Sequence, residues 1–298
     1  MPKFGRLLTA MVTPFDEEGE VDYVQARKLA RALMQSGSDG LVVSGTTGES
    51  PTLSVEEKLR LFGEVKDELG GAGVVIAGTG NYSTRESIEL TREAEKIGVD
   101  ACLLVVPYYN RPTQEGLYRH FSTIATACNL PCLLYNVPSR TSCNLAAETV
   151  IRLSKVDNIL GVKEASANFH QISEIIQGVP KDFLVYSGND GDTFPLMAMG
   201  GYGVVGVVTC LVGLQTKEMM DKLLTGRIEE AAAIHRRLLP FVEAMFLVAN
   251  PVPLKFAMNL LGFEVGSTRL PLCEPDDKTA NAITAALKQV KVDLPLPG

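Results

Sequence analysis

The segment NILGVKEAS, residues 158 to 166, is an apolar run that arrives at Lys163 and continues at once with Glu164. A cation in that place suits either a strand end that reaches water and pairs with a neighbouring acid, or an amine held at the rim of a cavity. Side chains alternate between the two faces of a strand. Ile159, Gly161 and Lys163 are therefore expected on one face and Leu160, Val162 and Glu164 on the other, with Gly161 leaving room for the amine. Desolvation and nearby cations favour the neutral amine, which attacks a carbonyl carbon to give a Schiff base.

Other residues of suitable chemistry lie at comparable places. Tyr135 in CLLYNVP is either a proton-relaying phenol or a core tyrosine tied to the backbone. Arg140 in VPSRTS has the planar fork that grips a carboxylate, or is an ordinary loop arginine. In GTTGES, residues 45 to 50, the hydroxyls of Thr46 and Thr47 and the backbone N–H groups between glycines can converge on a small anion. The Lys-Ser/Thr of a phosphate loop is missing there, and a plain turn carries the same residues. Tyr108 and Tyr109 in PYYNRP are loop aromatics suited to a subunit interface or to local loop packing.

The elements that must position these residues follow a regular alternation. Short β-rich apolar runs start at Leu7, Gly40, Gly73, Ala101, Cys132, Ile159, Phe183 and Gly203, and segments of helical spacing lie between them. Asp22, Ser54 and Ser83 are N-cap candidates, and Gly37, Gly70 and Gly98 are stop candidates. Eight strands each followed by a helix imply a parallel sheet with right-handed crossovers, and the number favours a closed (β/α)8 TIM barrel over an open sheet. Residues 1–224 form this expected catalytic barrel. After about residue 225 the pattern becomes purely helical, so residues 225–298 are expected as a C-terminal helical extension. Its apolar stretches AMFLVA and LKFAMNLL should be buried against the barrel or another subunit, and Pro240 should kink or end the first of its helices. In such a barrel the site is built at the C-terminal ends of the strands, which is where the residues above fall.

Composition narrows the function classes. The chain has 298 residues, 46% hydrophobic and 21% charged, within the range of a globular protein with a sizeable core. A net charge of −7 without a basic run argues against a nucleic-acid surface or an anionic membrane patch. The short apolar stretch near the start is interrupted by Pro14 and acids, short of a signal or spanning segment, so a cytoplasmic protein is expected. Six cysteines without a CxxC pair read as buried free thiols, and three dispersed histidines show no zinc spacing, so no metal is expected.

Taken in order and on those strands, GTTGES, PYYNRP, YNVPSR, GVKEAS and YSGND resemble the pyruvate-dependent class I aldolases of the N-acetylneuraminate lyase superfamily, and among them the dihydrodipicolinate synthase family. The resemblance extends over nearly the whole chain, including NPVPLKFAMNLLG. It implies Lys163 as the Schiff-base lysine, Tyr135 as proton relay, and a hydroxyl relay through Thr47 and Tyr109, the latter reaching the site of a neighbouring subunit. It implies Thr46 and Thr47 as holders of the pyruvate carboxylate, and Arg140 as the group that grips the carboxylate of L-aspartate 4-semialdehyde. Val205 matches a position whose carbonyl faces the substrate, with Gly188 close by. The implied reaction needs no metal or organic cofactor, because a covalent pyruvyl-lysine iminium is itself the electron sink. The implied assembly is a homotetramer of two tight dimers.

One departure concerns regulation. Lysine-inhibited members place imidazoles in the helix after GTTGES, whereas Val55 and Lys58 stand here. Lys58 would repel a cationic effector, so weak or absent lysine inhibition is expected, although Ser50, Glu86 and Tyr108 remain as allosteric candidates. Two other readings stay open at this point: a sister aldolase acting on a 2-keto-3-deoxy sugar acid or 4-hydroxy-2-oxoglutarate, and a non-catalytic 2-keto-acid binding barrel.

Overall fold

The computed structural model describes residues 4–296. Eight parallel strands close into one barrel in sequence order, β8 pairing back onto β1. They are β1 (Leu7–Ala10), β2 (Gly40–Val43), β3 (Val74–Gly78), β4 (Ala101–Val105), β5 (Cys132–Asn136), β6 (Ile159–Glu164), β7 (Leu184–Ser187) and β8 (Gly203–Gly206). The crossovers are helical: α1 (Tyr23–Gln35), α2 (Val55–Leu69), α3 (Thr84–Ile97), α4 (Gln114–Thr126), the short α5 (Pro138–Thr141) with α6 (Ala147–Leu153), α7 (Phe169–Gly178), α8 (Thr193–Ala198) and α9 (Thr209–Leu224). The chain then continues with α10 (Ile228–Ala244), α11 (Val252–Leu260) and α12 (Asp277–Leu287).

Local chemistry accounts for the boundaries. Asp22, Ser54 and Ser83 each accept an N–H of the first helical turn, and Ser54 completes a capping box with Glu57. Gly70 and Gly98 end α2 and α3 at φ 51° and 88°, a left-handed conformation that glycine adopts without a Cβ clash.

The barrel interior is a packed layer containing Leu8, Val42, Ile76, Leu103, Leu133, Tyr135, Tyr186 and Val205. It closes the lumen below the strand ends and leaves the catalytic face as the place for a ligand.

Three expectations change. Strand β6 does not alternate along its whole length: Ile159 pairs with Cys132 but Gly161 pairs with Leu133, so Leu160 is an extra residue in the ladder. Such a bulge reverses the facing of everything before it. Ile159 consequently packs outward with Val162, and Leu160 takes the lumen side. Helix α10 runs through Pro240 to Ala244, so the proline does not end it, and the break in helical geometry falls instead at Val212 in α9 (φ −129°, ψ 38°). In AMFLVA only Ala244 and Met245 are buried, whereas Phe246, Leu247 and Val248 are exposed; of the second stretch, Leu254, Lys255, Ala257 and Met258 are buried.

The helical extension is tied to the barrel by polar bonds as well as by packing. Lys255 is 2% exposed and pairs with the equally buried Glu49 at 3.1 Å. Its Nζ also donates to the carbonyls of Thr13 and Ser267. Arg269 donates its backbone N–H to the second Glu49 oxygen and pairs with Glu57 through its guanidinium.

Candidate active site

Lys163 is 4% exposed, and its Nζ stands over the Tyr135 ring, 4.3 Å from the centroid. The two residues are direct partners across β5 and β6, with Tyr186 the partner on the other side. Glu164 points the opposite way, as alternation requires. Its carboxylate accepts from Asn136 Nδ2 at 3.1 and 3.0 Å, from the Ser166 N–H and from Gln171. Burial raises the Glu164 carboxyl above its usual range against these donors. An ion pair between Lys163 and Glu164 is therefore excluded by the strand itself.

The room for the lysine comes from Gly188, not from Gly161. A Cβ at Gly188 would lie 3.1 Å from both Cε and Cγ of Lys163 and 2.8 Å from the Ala165 Cβ. A Cβ at Gly161 would strike the Leu184 carbonyl oxygen at 2.4 Å, on the neighbouring strand. The two glycines thus differ in use: one lets β6 approach β7, the other clears the lysine stem. Two residues after Gly188, Asp190 accepts the N–H groups of Val207 and Val208, fixing the chain just beyond β8 and Val205. Burial pushes the Asp190 carboxyl up to about 6, opposed by those N–H donors and by the Lys163 charge.

Above Tyr135 lies a cavity of about 220 Å³ whose wall includes Ser44, Thr46, Ser50, Tyr108, Tyr135 and Arg140. The two adjacent threonines separate. Thr46 faces the cavity, while Thr47 is 2% exposed and its hydroxyl accepts a 2.9 Å bond from Asn250 Nδ2. Among the described residues, the N–H groups of Thr46 and Thr47 donate to no backbone carbonyl, which leaves them available to an anion. Ser44 adds a buried hydroxyl without a partner among the described residues, on the same wall.

Arg140, in α5, donates from Nη2 to the Asn250 carbonyl at 3.3 Å. One residue of the extension, Asn250, therefore contacts both Thr47 and Arg140. Sequence reasoning missed it, and it missed the Glu49–Lys255 pair that anchors the end of GTTGES. Lys255 carried a signal of the same kind as Lys163, a cation inside the apolar run VPLKFAM. Burial pushes its amine down to about 8 despite Glu49.

Tyr109 is not brought to this site within the chain: it is 93% exposed, on a loop where its own φ is 72°. Tyr108 turns inward, edge-on to Tyr82 at 5.2 Å. Ser50 and Tyr108 line the cavity, whereas Lys58 and Glu86 lie outside its wall. Burial lowers the Lys58 amine, and the Glu57 and Glu86 carboxylates oppose that shift.

The model of the dihydrodipicolinate synthetase family matches residues 3–290. The chain belongs to that family. A relative from Dehalococcoides mccartyi, named 4-hydroxy-tetrahydrodipicolinate synthase, is 60% identical over 99% of this chain and 100% of its own length. One from Desulforudis audaxviator with the same name is 52% identical over 97% and 98%. Among solved structures, that of DHDPS from Cyanidioschyzon merolae with lysine bound superposes with a TM-score of 0.95 at 45% identity, over 96% of this chain and 98% of the other. Family membership accounts for the eight-stranded barrel with helices after it.

Proposed function

We propose that this enzyme condenses pyruvate with L-aspartate 4-semialdehyde through a Schiff base on Lys163, the carbon-carbon bond-forming lyase-type reaction of lysine and diaminopimelate biosynthesis for which its relatives are named. The observation that carries the reading is the buried Lys163 amine against the Tyr135 ring, at the strand ends and beneath a cavity walled by Thr46 and Arg140.

In this reading the unprotonated amine attacks the keto carbon of pyruvate. The oxygen leaves as water after proton transfer through Tyr135. The iminium draws electrons from the adjacent methyl group, whose proton is lost to give an enamine, and the enamine carbon attacks the aldehyde. The amine of the adduct then closes on the iminium carbon and expels Lys163. Thr46 and Thr47 hold the pyruvate carboxylate through their unengaged N–H groups, and Arg140 grips that of the second substrate. The Val205 carbonyl and Gly188 border the bound intermediate. No metal or organic cofactor takes part, since the iminium is the electron sink.

Tyr109 completes the hydroxyl relay with Thr47 from a neighbouring subunit, which makes the exposed loop an interface in a tetramer of two tight dimers. A cytoplasmic location belongs to the same reading. Among the described residues no helix is long and apolar enough to cross a membrane.

Borohydride reduction in the presence of pyruvate, followed by peptide mass analysis, tests the Schiff base: a pyruvyl adduct on Lys163 is expected, and its absence would overturn the mechanism. Condensation with the semialdehyde is then compared with retro-aldol release of pyruvate from 2-keto-3-deoxy sugar acids and 4-hydroxy-2-oxoglutarate. Dominance of the second activity would reassign the partner.

A further inference from the structure

Two bonds in parallel join the GTTGES loop to the start of α11. Asn250 Nδ2 donates to the Thr47 hydroxyl at 2.9 Å, and Lys255 Nζ pairs with Glu49 at 3.1 Å. The second bond, with those from Lys255 to the Thr13 and Ser267 carbonyls, holds the two segments together without help from the Asn250 side chain. Arg140 rests on the Asn250 backbone carbonyl, which no change of side chain removes. Among the described residues the Asn250 amide therefore has one partner, Thr47, and its own oxygen has none.

Burial fixes which way that amide points. Asn250 is 5% exposed and Thr47 2%. Turned over, the amide would offer its oxygen to Thr47 and strand an NH2 group with two donors in place of one carbonyl oxygen. Orphaned buried donors are rarer than under-satisfied carbonyls, so the donor faces Thr47. A threonine oxygen has two lone pairs and one hydrogen. With Asn250 on one lone pair, Thr47 keeps one place to accept and one to donate, and among the described residues its hydrogen goes to no protein atom. That remainder is what a relay between two phenols needs.

We propose that Asn250 is a positioning residue for the condensation: its amide holds the Thr47 hydroxyl so that it accepts from one phenol and donates to the other, which sets the direction of the relay between Tyr135 and Tyr109. The inference rests on the Schiff-base reading above, which assigns Thr47 to that relay. Asn250 acts through Thr47 and not on the substrate. Without the amide the hydroxyl is free to turn, and a relay passes a proton only while each oxygen donates to the next.

At saturating pyruvate, exchange of the methyl protons in heavy water is followed by NMR, beside borohydride trapping on Lys163 and the KM for the semialdehyde. Asn250→Ala should slow exchange about ten- to a hundredfold and leave trapping and that KM within about twofold of wild type. Asn250→Asp keeps the shape but only accepts, so it draws the Thr47 hydrogen to itself, and exchange should fall about tenfold below that of Asn250→Ala. In a Thr47→Val background neither change should slow exchange further. Wild-type exchange in Asn250→Ala, faster exchange in Asn250→Asp than in Asn250→Ala, a further loss in Thr47→Val, or trapping lost in step with exchange would each overturn the role. Absence of a pyruvyl adduct in the wild type would overturn the Schiff base itself, and this role with it.

Discussion

Gly188→Ala probes the placement of the lysine with a single methyl group. The new Cβ would sit 3.1 Å from Lys163 Cε and Cγ, and 2.8 Å from the Ala165 Cβ. Ordinary carbon contacts begin near about 3.5 Å, so the lysine stem must retreat by about 0.4 Å, and its terminal amine by rather more. A misplacement of about 1 Å costs on the order of a hundredfold in rate, which puts the expected loss here at about tenfold.

The readout is the rate at which pyruvate becomes trapped on Lys163 by borohydride, measured beside the melting temperature. Gly161→Ala is the matched control. Its Cβ meets the Leu184 carbonyl oxygen at 2.4 Å, so it should strain the β6–β7 pairing and cost about 1–3 kcal/mol of stability while leaving trapping in the folded fraction unchanged. Trapping at the wild-type rate in Gly188→Ala, or slow trapping with an unchanged melting temperature in Gly161→Ala, would refute the assignment of the two glycines.

Asn250→Ala removes the donor to Thr47 and should slow exchange of the pyruvate methyl protons with solvent by about ten- to a hundredfold; borohydride trapping should persist, and NMR in heavy water reads the exchange. Lys255→Met leaves Glu49 buried without its cation and should destabilise the fold by about 3–5 kcal/mol in denaturant titrations, with most of that recovered by adding Glu49→Gln. Asp190 has its folded pKa raised to about 6 from 3.8, so the folded state binds the extra proton and its stabilising contribution is complete below pH about 4 and lost as pH rises through 6. The stability difference between wild type and Asp190→Asn should therefore fall by about 3 kcal/mol from pH 4 to pH 7; a constant difference would show that Asp190 does not titrate there. Lysine should inhibit condensation weakly or not at all, and half-inhibition at low millimolar concentration or below would show that Lys58 does not repel it.

Much of the architecture was legible because its causes are local. The apolar runs, the caps at Asp22, Ser54 and Ser83, and the glycines at 70 and 98 act within a turn or a strand, and they predicted the eight-stranded order that the closed barrel shows. The placement of Lys163 beside Tyr135 was legible for a related reason, since both lie near the ends of adjacent strands. What failed depended on pairing between segments. An extra residue at Leu160 cannot be seen from β6 alone, because a bulge exists only relative to the partner strand. The same holds for Gly188, whose missing Cβ matters only because Lys163 lies against it.

The sequence by itself thus determined the order of the elements, the strand ends available to chemistry, and the residue types a Schiff-base aldolase needs. Tertiary structure alone decided that Asn250 reaches across to Thr47 and Arg140, that Lys255 finds Glu49, and that Cys102 and Cys132 meet across β4 and β5. Local backbone preferences are written in neighbouring residues. A contact between positions 47 and 250 exists only once barrel closure and the packing of the extension have fixed both ends in space.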